Sequence, residues 1–569
     1  VVAVAVWAVR QACGAPPPVR LDRALLGLVL WFTWSAACIP AAGDGHLAIH
    51  RVIWHGLAAC AWIIAWRSGP EAARQLTGLL ALSGGAAAAL GLALWGLGVT
   101  PGQVCYVLRD QNTLGAHLAL VTPLAAWRAW CGGPRRGLYV AAALLCLGGT
   151  LATGSRGAVL GLALAGAVAC ALAGGLDAAA RLARLRVVLG ASVALLVPAL
   201  AFSAVSDPAQ SSSMPHRLFM WATCGRVVRE SPLFGAGPGN FRLAYQSHRP
   251  RGSRDSYALA IPADAHSDTM DALAETGIPG ALLLGGLVWL SVAPALRRAA
   301  GEGRGMAVAA SAAIIGWCAN GLLNSSLANP ATEPTCLLAL GLAAAARAPS
   351  PLWAVPRRLA WTVPLLALAL LSVAGQRTVR TAWAWSVASR AGLSPEYRPL
   401  LRGGEPPTSA QQPVQPGTAV GALRQATRID PEHNALWQLL GAVAAGDDPG
   451  LARAALQHSV ELVPSYAGSH HALGLLLARE GDRGGAEQEL QAAVSLDPYN
   501  PYYRIDLAEC MGPEQRFAAL RNLAMAAQLL LMTQEVVTAR FGPASREAEA
   551  VDEGFERVKR VRRRVMGQR

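Results

Sequence analysis

Residues 137–172 read GLYVAAALLCLGGTLATGSRGAVLGLALAGAVACAL, two apolar runs separated only by the polar turn Thr153-Gly154-Ser155-Arg156. A bilayer hydrocarbon core of about 30 Å is crossed by roughly 20 helical residues, and each run approaches that length. Two helical spans joined by a tight turn place the chain among polytopic, all-α membrane proteins. Outward from this pair, comparable runs begin near Leu21, His46, Leu76, Thr113, Val187, Ala272, Met306 and Leu359. Shorter ones cover Val1–Val9 and Thr335–Ala346, so the pattern predicts a bundle of about ten to twelve transmembrane helices. No charged segment precedes the first run and no cleavage site follows it, so a cleavable signal peptide is not expected.

Composition agrees with this class. Charged residues make up 15% of the chain and hydrophobic ones 53%, against about a quarter charged in an ordinary soluble domain. The charges are concentrated in the last third. We expect a membrane domain over residues 1–375 with a large polar loop at 206–271, a linker at 376–417, helical repeats at 418–512 and a helical tail at 513–569. The net charge of +14 resides mostly in arginines of short loops, where it acts as a topology signal rather than a nucleic-acid footprint. Lys559 is the sole lysine, which excludes a Walker A loop or a Schiff-base lysine in the body of the chain. The eleven cysteines form no C-x-x-C and are mostly single residues in apolar runs, as Cys38, Cys60, Cys146, Cys170 and Cys318 are. That usage suits small core residues better than a disulfide or zinc framework.

Orientation follows from alternate loops. One set holds Arg10, Arg20 and Arg23; Arg67 and Arg74; Arg128, Arg135 and Arg136; Arg181, Arg184 and Arg186; Arg297, Arg298 and Arg304; and Arg347, Arg357 and Arg358. The short loops of the other set hold only Arg109 and Arg156. The positive-inside rule assigns the first set to the cytoplasm. Thr153–Arg156, the loop from about Ser206 to Asp271 and everything beyond about Gly375 are then expected outside. Trp31, Trp34, Trp62, Trp66, Trp95, Trp127 and Trp130 lie near run ends, where an interfacial belt would place them.

Beyond a Pro-, Gly- and Gln-rich stretch (about Ser394 to Gly417) the pattern changes. Asp430-Pro431, Val463-Pro464 and Asp497-Pro498 recur at intervals of 33 and 34 residues, each closing a helical stretch. A helix–turn–helix period near 34 is the tetratricopeptide signature, a scaffold that holds partners in a concave face. An irregular helical bundle is the competing reading. The tail from Arg546 to Arg569 reads as a basic amphipathic helix, a solvated or membrane-surface face rather than a nucleic-acid site.

Three polar features face outward. Arg156 breaks the positive-inside bias; it either holds an anion, since a guanidinium fork matches phosphate oxygens, or snorkels to headgroups. Arg217 opens an amphipathic stretch, followed by Pro232-Leu233-Phe234-Gly235-Ala236-Gly237-Pro238-Gly239-Asn240-Phe241. That run offers backbone amides to an anion or is simply a turn. His266, within Asp264-Ala265-His266-Ser267-Asp268, has the residue type of a general base and equally that of a solvated loop histidine. Glu275 follows in Ala274-Glu275-Thr276-Gly277-Ile278-Pro279-Gly280, where it either orients His266 or caps the next helix.

In combination these segments resemble the O-antigen ligase and Wzy polymerase superfamily of membrane glycosyltransferases. The shared order is Asp110-Gln111-Asn112-Thr113-Leu114-Gly115, Ser155-Arg156-Gly157-Ala158, Arg217-Leu218-Phe219-Met220-Trp221, Pro232 to Phe241, Ala265-His266-Ser267 and Glu275 to Gly280. It spans about residues 20–345. One departure is Ser267, where the family pattern has Asn after the histidine, and it bears on acceptor recognition or His266 orientation.

The resemblance implies a donor glycan on undecaprenyl diphosphate and transfer at the periplasmic face of the bacterial inner membrane. The loop and the repeats would then be periplasmic. Arg156 and Arg217 would bind the diphosphate, His266 would act as catalytic base, and Glu275, Gly237, Gly239 and Asn240 would support them. The acceptor is lipid A core, another glycan or a protein, and the repeats are expected to engage a protein partner. No D-x-D occurs, in keeping with inverting, metal-independent transfer without a cofactor or nucleotide-sugar. The rival classes are a transporter or flippase of lipid-linked sugars, in which the same arginines escort the diphosphate, and a non-catalytic assembly scaffold.

Overall fold

The structure, a computed structural model, describes residues 20–99, 111–173, 213–249, 262–297, 304–329, 332–345, 353–354, 362–389, 416–541 and 546–567. The expected span beginning at Val187 lies outside the described residues. So does the Ser394–Gly417 stretch, except for its last two residues.

The membrane portion comprises α1 (Arg23–Ala37), α2 (Gly45–Trp66), α3 (Pro70–Gly96), α4 (Gln111–Trp130), α5 (Arg136–Ala152) and α6 (Arg156–Ala173). After the polar helices α7 (Ser213–Glu230) and α8 (Phe241–His248), it continues with α9 (Asp268–Arg297), α10 (Arg304–Gly321), α11 (Glu333–Ala345) and α12 (Thr362–Ser389). Among the described residues, four helical stretches are long and apolar enough to cross a membrane: Arg23–Ala41, Gly45–Trp66, Pro70–Gly96 and Asp268–Ala293. The apolar helices α5, α6 and α11 are shorter.

Local chemistry starts the helices where the sequence permits. Asp22 and Asp44 each accept a backbone N–H of the first turn, from Leu25 at 2.8 Å and Leu47 at 3.0 Å, satisfying donors that a helix end otherwise leaves open. Small residues then let the helices approach. A Cβ on Gly161 would stand 2.4 Å from the Gly316 carbonyl oxygen, and one on Gly341 would stand 2.3 Å from that of Trp62. Close approach through glycine and alanine is how helices associate where lipid is as apolar as leucine. Leu28, Trp62, Leu124, Leu287, Ile314 and Leu340 fill the centre. The outer surface is apolar too: Leu144, Leu147 and Leu151 of α5 lie on one face and are exposed. Such a face suits hydrocarbon and not water.

Two tryptophans depart from the expected interfacial belt. Trp31 and Trp62 are buried in the core, whereas Trp95 and Trp130 are exposed at helix ends. The difference arises because α1 and α2 turn these rings onto the bundle axis, where Trp62 stacks on Trp66 at 5.6 Å.

The described loops lie at two ends of the bundle. At the arginine-rich end, residues 20–21 pair antiparallel with 353–354, Trp66 Nε1 donates to Asp22 at 3.2 Å, and Arg304 donates to the Leu172 carbonyl at 2.9 Å. The opposite end gathers residues 38–44, 153–155, 231–240, 262–267 and 322–329.

The repeats follow as α13 (Pro416–Ile429), α14 (Asn434–Ala444), α15 (Pro449–Leu462), α16 (Ala467–Glu480), α17 (Arg483–Leu496) and α18 (Pro501–Cys510). They are continued by α19 (Arg516–Phe541) and α20 (Arg546–Met566). The first helices of successive units begin at Asn434, Ala467 and Pro501, the register set by the Pro-bearing turns. Two of the expected boundaries, after residues 375 and 512, fall within continuous packing. Helix α12 runs through residue 376, and its Ala384, Val387 and Ala388 pack with Leu423, Leu436 and Leu439 of the first repeat. The tail packs back on α18 through Val551, Val558 and Val561.

Candidate functional site

The site lies at the arginine-poor end and begins with the turn between α5 and α6. Gly154 takes φ 66°, and the Ser155 N–H donates to Thr153 Oγ1 at 3.3 Å. Arg156 therefore stands at the first position of α6. The next residue, Gly157, faces the end of α10 so closely that a Cβ would lie 2.3 Å from Asn324 Nδ2 and 2.9 Å from Asn320 Oδ1. Glycine at this point brings the Arg156 turn against those two amides.

The amides form a chain of donors and acceptors. Asn324 Nδ2 donates to Asn320 Oδ1 at 2.7 Å, Asn320 Nδ2 donates to Ser326 Oγ at 2.9 Å, and Arg217 Nη2 of α7 donates to Asn324 Oδ1 at 3.4 Å. Arg217 is half-buried, and two effects pull its guanidinium below the usual arginine range. The larger is burial and the second is the positive charge of Arg156. An anion bridging both guanidinium groups would relieve each effect.

His266 enters from the segment before α9. Its backbone has φ 51°, a left-handed conformation that persists in a non-glycine residue only when its surroundings hold it. The holding bonds surround it. His266 N–H donates to Asp264 Oδ1 at 3.0 Å, Ala265 N–H to Asp271 Oδ1 at 2.7 Å, Ser267 Oγ to the Gly321 carbonyl at 3.1 Å, and Asp268 N–H to the Asn324 carbonyl at 3.3 Å. Ser267, the departure from the family pattern, thus ties this segment to α10. The His266 ring is half-exposed, with Nδ1 3.2 Å from Asp264 Oδ1. A carboxylate there steadies the ring and stabilises the cation formed when the imidazole takes up a proton.

His266, Asp264, Asn112, Thr113, Asn324 and Ser325 line one cavity of about 200 Å³, together with Ser326, Ala328 and Asn329. The Gln111–Gly115 motif, the Arg156 turn, α7 and the His266 segment therefore meet around Asn324. Sequence reading missed the cluster from Asn320 to Asn329. Its signal was present: three asparagines and two serines between two apolar runs at the arginine-poor end.

The remaining expected residues build the frame. The Pro232–Phe241 run and the Ala274–Gly280 run pack on each other through backbone. Ala236 N–H donates to the Ala274 carbonyl at 2.7 Å, and Ile278 N–H donates to the Pro232 carbonyl at 2.9 Å. Gly277, at φ 68°, breaks α9 here, and a Cβ on it would stand 2.2 Å from the Leu233 carbonyl oxygen. Gly237 and Gly239 lie against residues of the α1–α2 connection and the start of α2. Asn240 clasps the backbone of Asp44, accepting from its N–H at 2.7 Å and donating to its carbonyl at 3.1 Å. None of Gly237, Gly239, Asn240 or Glu275 lines the cavity, and Arg156 and Arg217 are not among its lining residues either. Glu275 is buried.

Residues 141–285, from α5 to the middle of α9, match the family model for O-antigen ligase. Over these residues the chain is similar to the O-antigen ligase family, helical repeats follow, and the match supports membrane glycosyl transfer in general. No curated protein matches the chain. Among solved structures it is similar to the MamA protein, at 12% identity, 32% of this chain, 91% of that one and TM-score 0.21. It is also similar to YrrB, described as a TPR protein with an unusual peptide-binding site, at 15% identity, 26% of this chain, 78% of that one and TM-score 0.19.

Proposed function

We propose that the chain transfers a glycan from undecaprenyl diphosphate to an acceptor hydroxyl at the periplasmic face of the inner membrane. The observation that supports this reading is the convergence on Asn324: Arg217 donates to it, Gly157 beside Arg156 packs on it, and it lines one cavity with His266. Diphosphate is a good leaving group, so two fixed guanidinium groups stabilise the charge that develops on it. The acceptor hydroxyl then needs a base. His266, steadied by Asp264, takes that proton as the oxygen attacks the anomeric carbon from the side opposite the departing diphosphate. The C–O bond to the acceptor forms, the bond to the diphosphate oxygen breaks, and the configuration inverts. The amide- and hydroxyl-lined cavity suits a sugar, whose hydroxyls both donate and accept. Lipid A core, a growing glycan and a protein side chain are the acceptor classes.

The test is release of undecaprenyl diphosphate by the purified protein in liposomes loaded with the lipid-linked glycan. Wild type is expected to release it, and His266→Ala, still folded, to lose about 10²–10⁴ in rate. Passage of the lipid across the bilayer without cleavage by either protein would instead assign the arginines to substrate escort.

A further inference from the structure

The three periodic turns of the repeat domain all touch the bundle at the site end. At the first turn Asp430 and Glu432 meet Arg380 at 3.1 and 3.3 Å, and Glu432 also meets Arg377 at 3.0 Å and His46 at 3.3 Å. At the second, Ser465 lies against Gly43 so closely that a Cβ there would stand 2.4 Å from its Oγ. At the third, Asp497 pairs with Arg249, the residue that ends α8. The edge that gives the repeats their period is thus the edge seated on the bundle.

The third contact reaches the site. Both side chains of the Arg249–Asp497 pair are buried, at 6% and 3% exposed. The Arg249 guanidinium also lies 5.3 Å from the Tyr499 ring and 5.8 Å from that of Tyr245. Tyr245 belongs to a buried cluster with Phe219, Phe241 and Ala265, and the Ala265 carbonyl accepts Trp221 Nε1 at 3.2 Å. Ala265 adjoins His266. A continuous line of contact therefore runs from a turn of the repeats to the backbone that holds the base. A buried ion pair contributes little net stability but penalises any arrangement that leaves one charge alone, so it suits fixing a register.

We propose that the repeat domain is a positioning element of the transfer site, with Arg249 and Asp497 as the positioning residues that hold the His266 segment. The proposal rests on the transferase reading above. Its test compares full-length wild type, Asp497→Asn, Arg249→Gln and the double variant in liposomes. Each single variant is expected to lower kcat by about tenfold or more with donor KM within about twofold. The double variant, which leaves no lone charge, is expected to recover much of the loss. Amide hydrogen exchange supplies a readout independent of catalysis: Asp497→Asn should speed exchange at Ala265 and Asp271 by about tenfold or more while α10 stays protected. Unchanged exchange at those amides, or losses in the double variant that multiply those of the singles, would overturn the proposal. A wild type that releases no undecaprenyl diphosphate while Asp497→Asn still loosens Ala265 would sink the transferase reading and leave the coupling standing.

Discussion

His266 combines two demands on one residue, a ring free to take a proton and a backbone at φ 51°. For a non-glycine residue that conformation costs about 1–2 kcal/mol. Replacing His266 with Gly should therefore abolish transfer as fully as Ala does, yet raise the melting temperature above that of His266→Ala. Equal melting temperatures for the two variants would show that the conformation stores no strain. The arginines allow a second residue-level expectation. Arg217 donates to Asn324 while its positive neighbour Arg156 presses on it, so its fork is already aimed. Arg217→Lys keeps the charge and loses the fork, and should weaken donor binding by about 10–100-fold. A donor KM unchanged in Arg217→Lys would remove this arginine from the diphosphate site.

At the scale of elements, the two motifs flanking the α9 break form one unit. Gly277→Ala would drive a Cβ to 2.2 Å from the Leu233 carbonyl oxygen at a left-handed φ. Destabilisation of about 2–4 kcal/mol is expected, measured by thermal unfolding in detergent, against a near-neutral effect for Gly286→Ala, which meets nothing within 4 Å. A neutral Gly277→Ala would mean that the break relaxes freely. The same elements show what was legible in the sequence. Apolar run length and loop arginines gave the helices and their two ends, because both signals are local. Arg156, Arg217 and His266 stood out because a charge beside a membrane helix needs a reason. Asn320 and Asn324 did not, because an amide carries no such penalty until its partners are known. The domain boundary near residue 375 was hidden for a related reason: composition changes there, but α12 does not stop.

For the whole molecule, the docking of repeats on bundle should depend on pH. His433, between His46 and Trp385, has its pKa lowered from 6.5 to about 4, chiefly by burial and then by His46, with Asp430 opposing. The unfolded chain binds a proton near pH 6.5 that the folded one refuses. The stabilisation is therefore complete above about pH 6.5 and falls as pH drops toward 4, at on the order of 1 kcal/mol per unit. Melting temperatures at pH 7.5 and 5 should diverge in wild type and converge in His433→Gln; equal slopes would clear His433 of the effect. One feature reaches further. Helix α12 leaves the bundle beside α2 and ends among the first repeat helices without a break, and the 14 residues from Gln376 to Ser389 extend about 20 Å at 1.5 Å per residue. It is one unbroken rod shared by the two parts, with Ala384, Val387 and Ala388 near its far end buried against the repeats. A displacement of the first repeat would therefore be passed to α2 along a single continuous helix, in addition to the contacts at the turns.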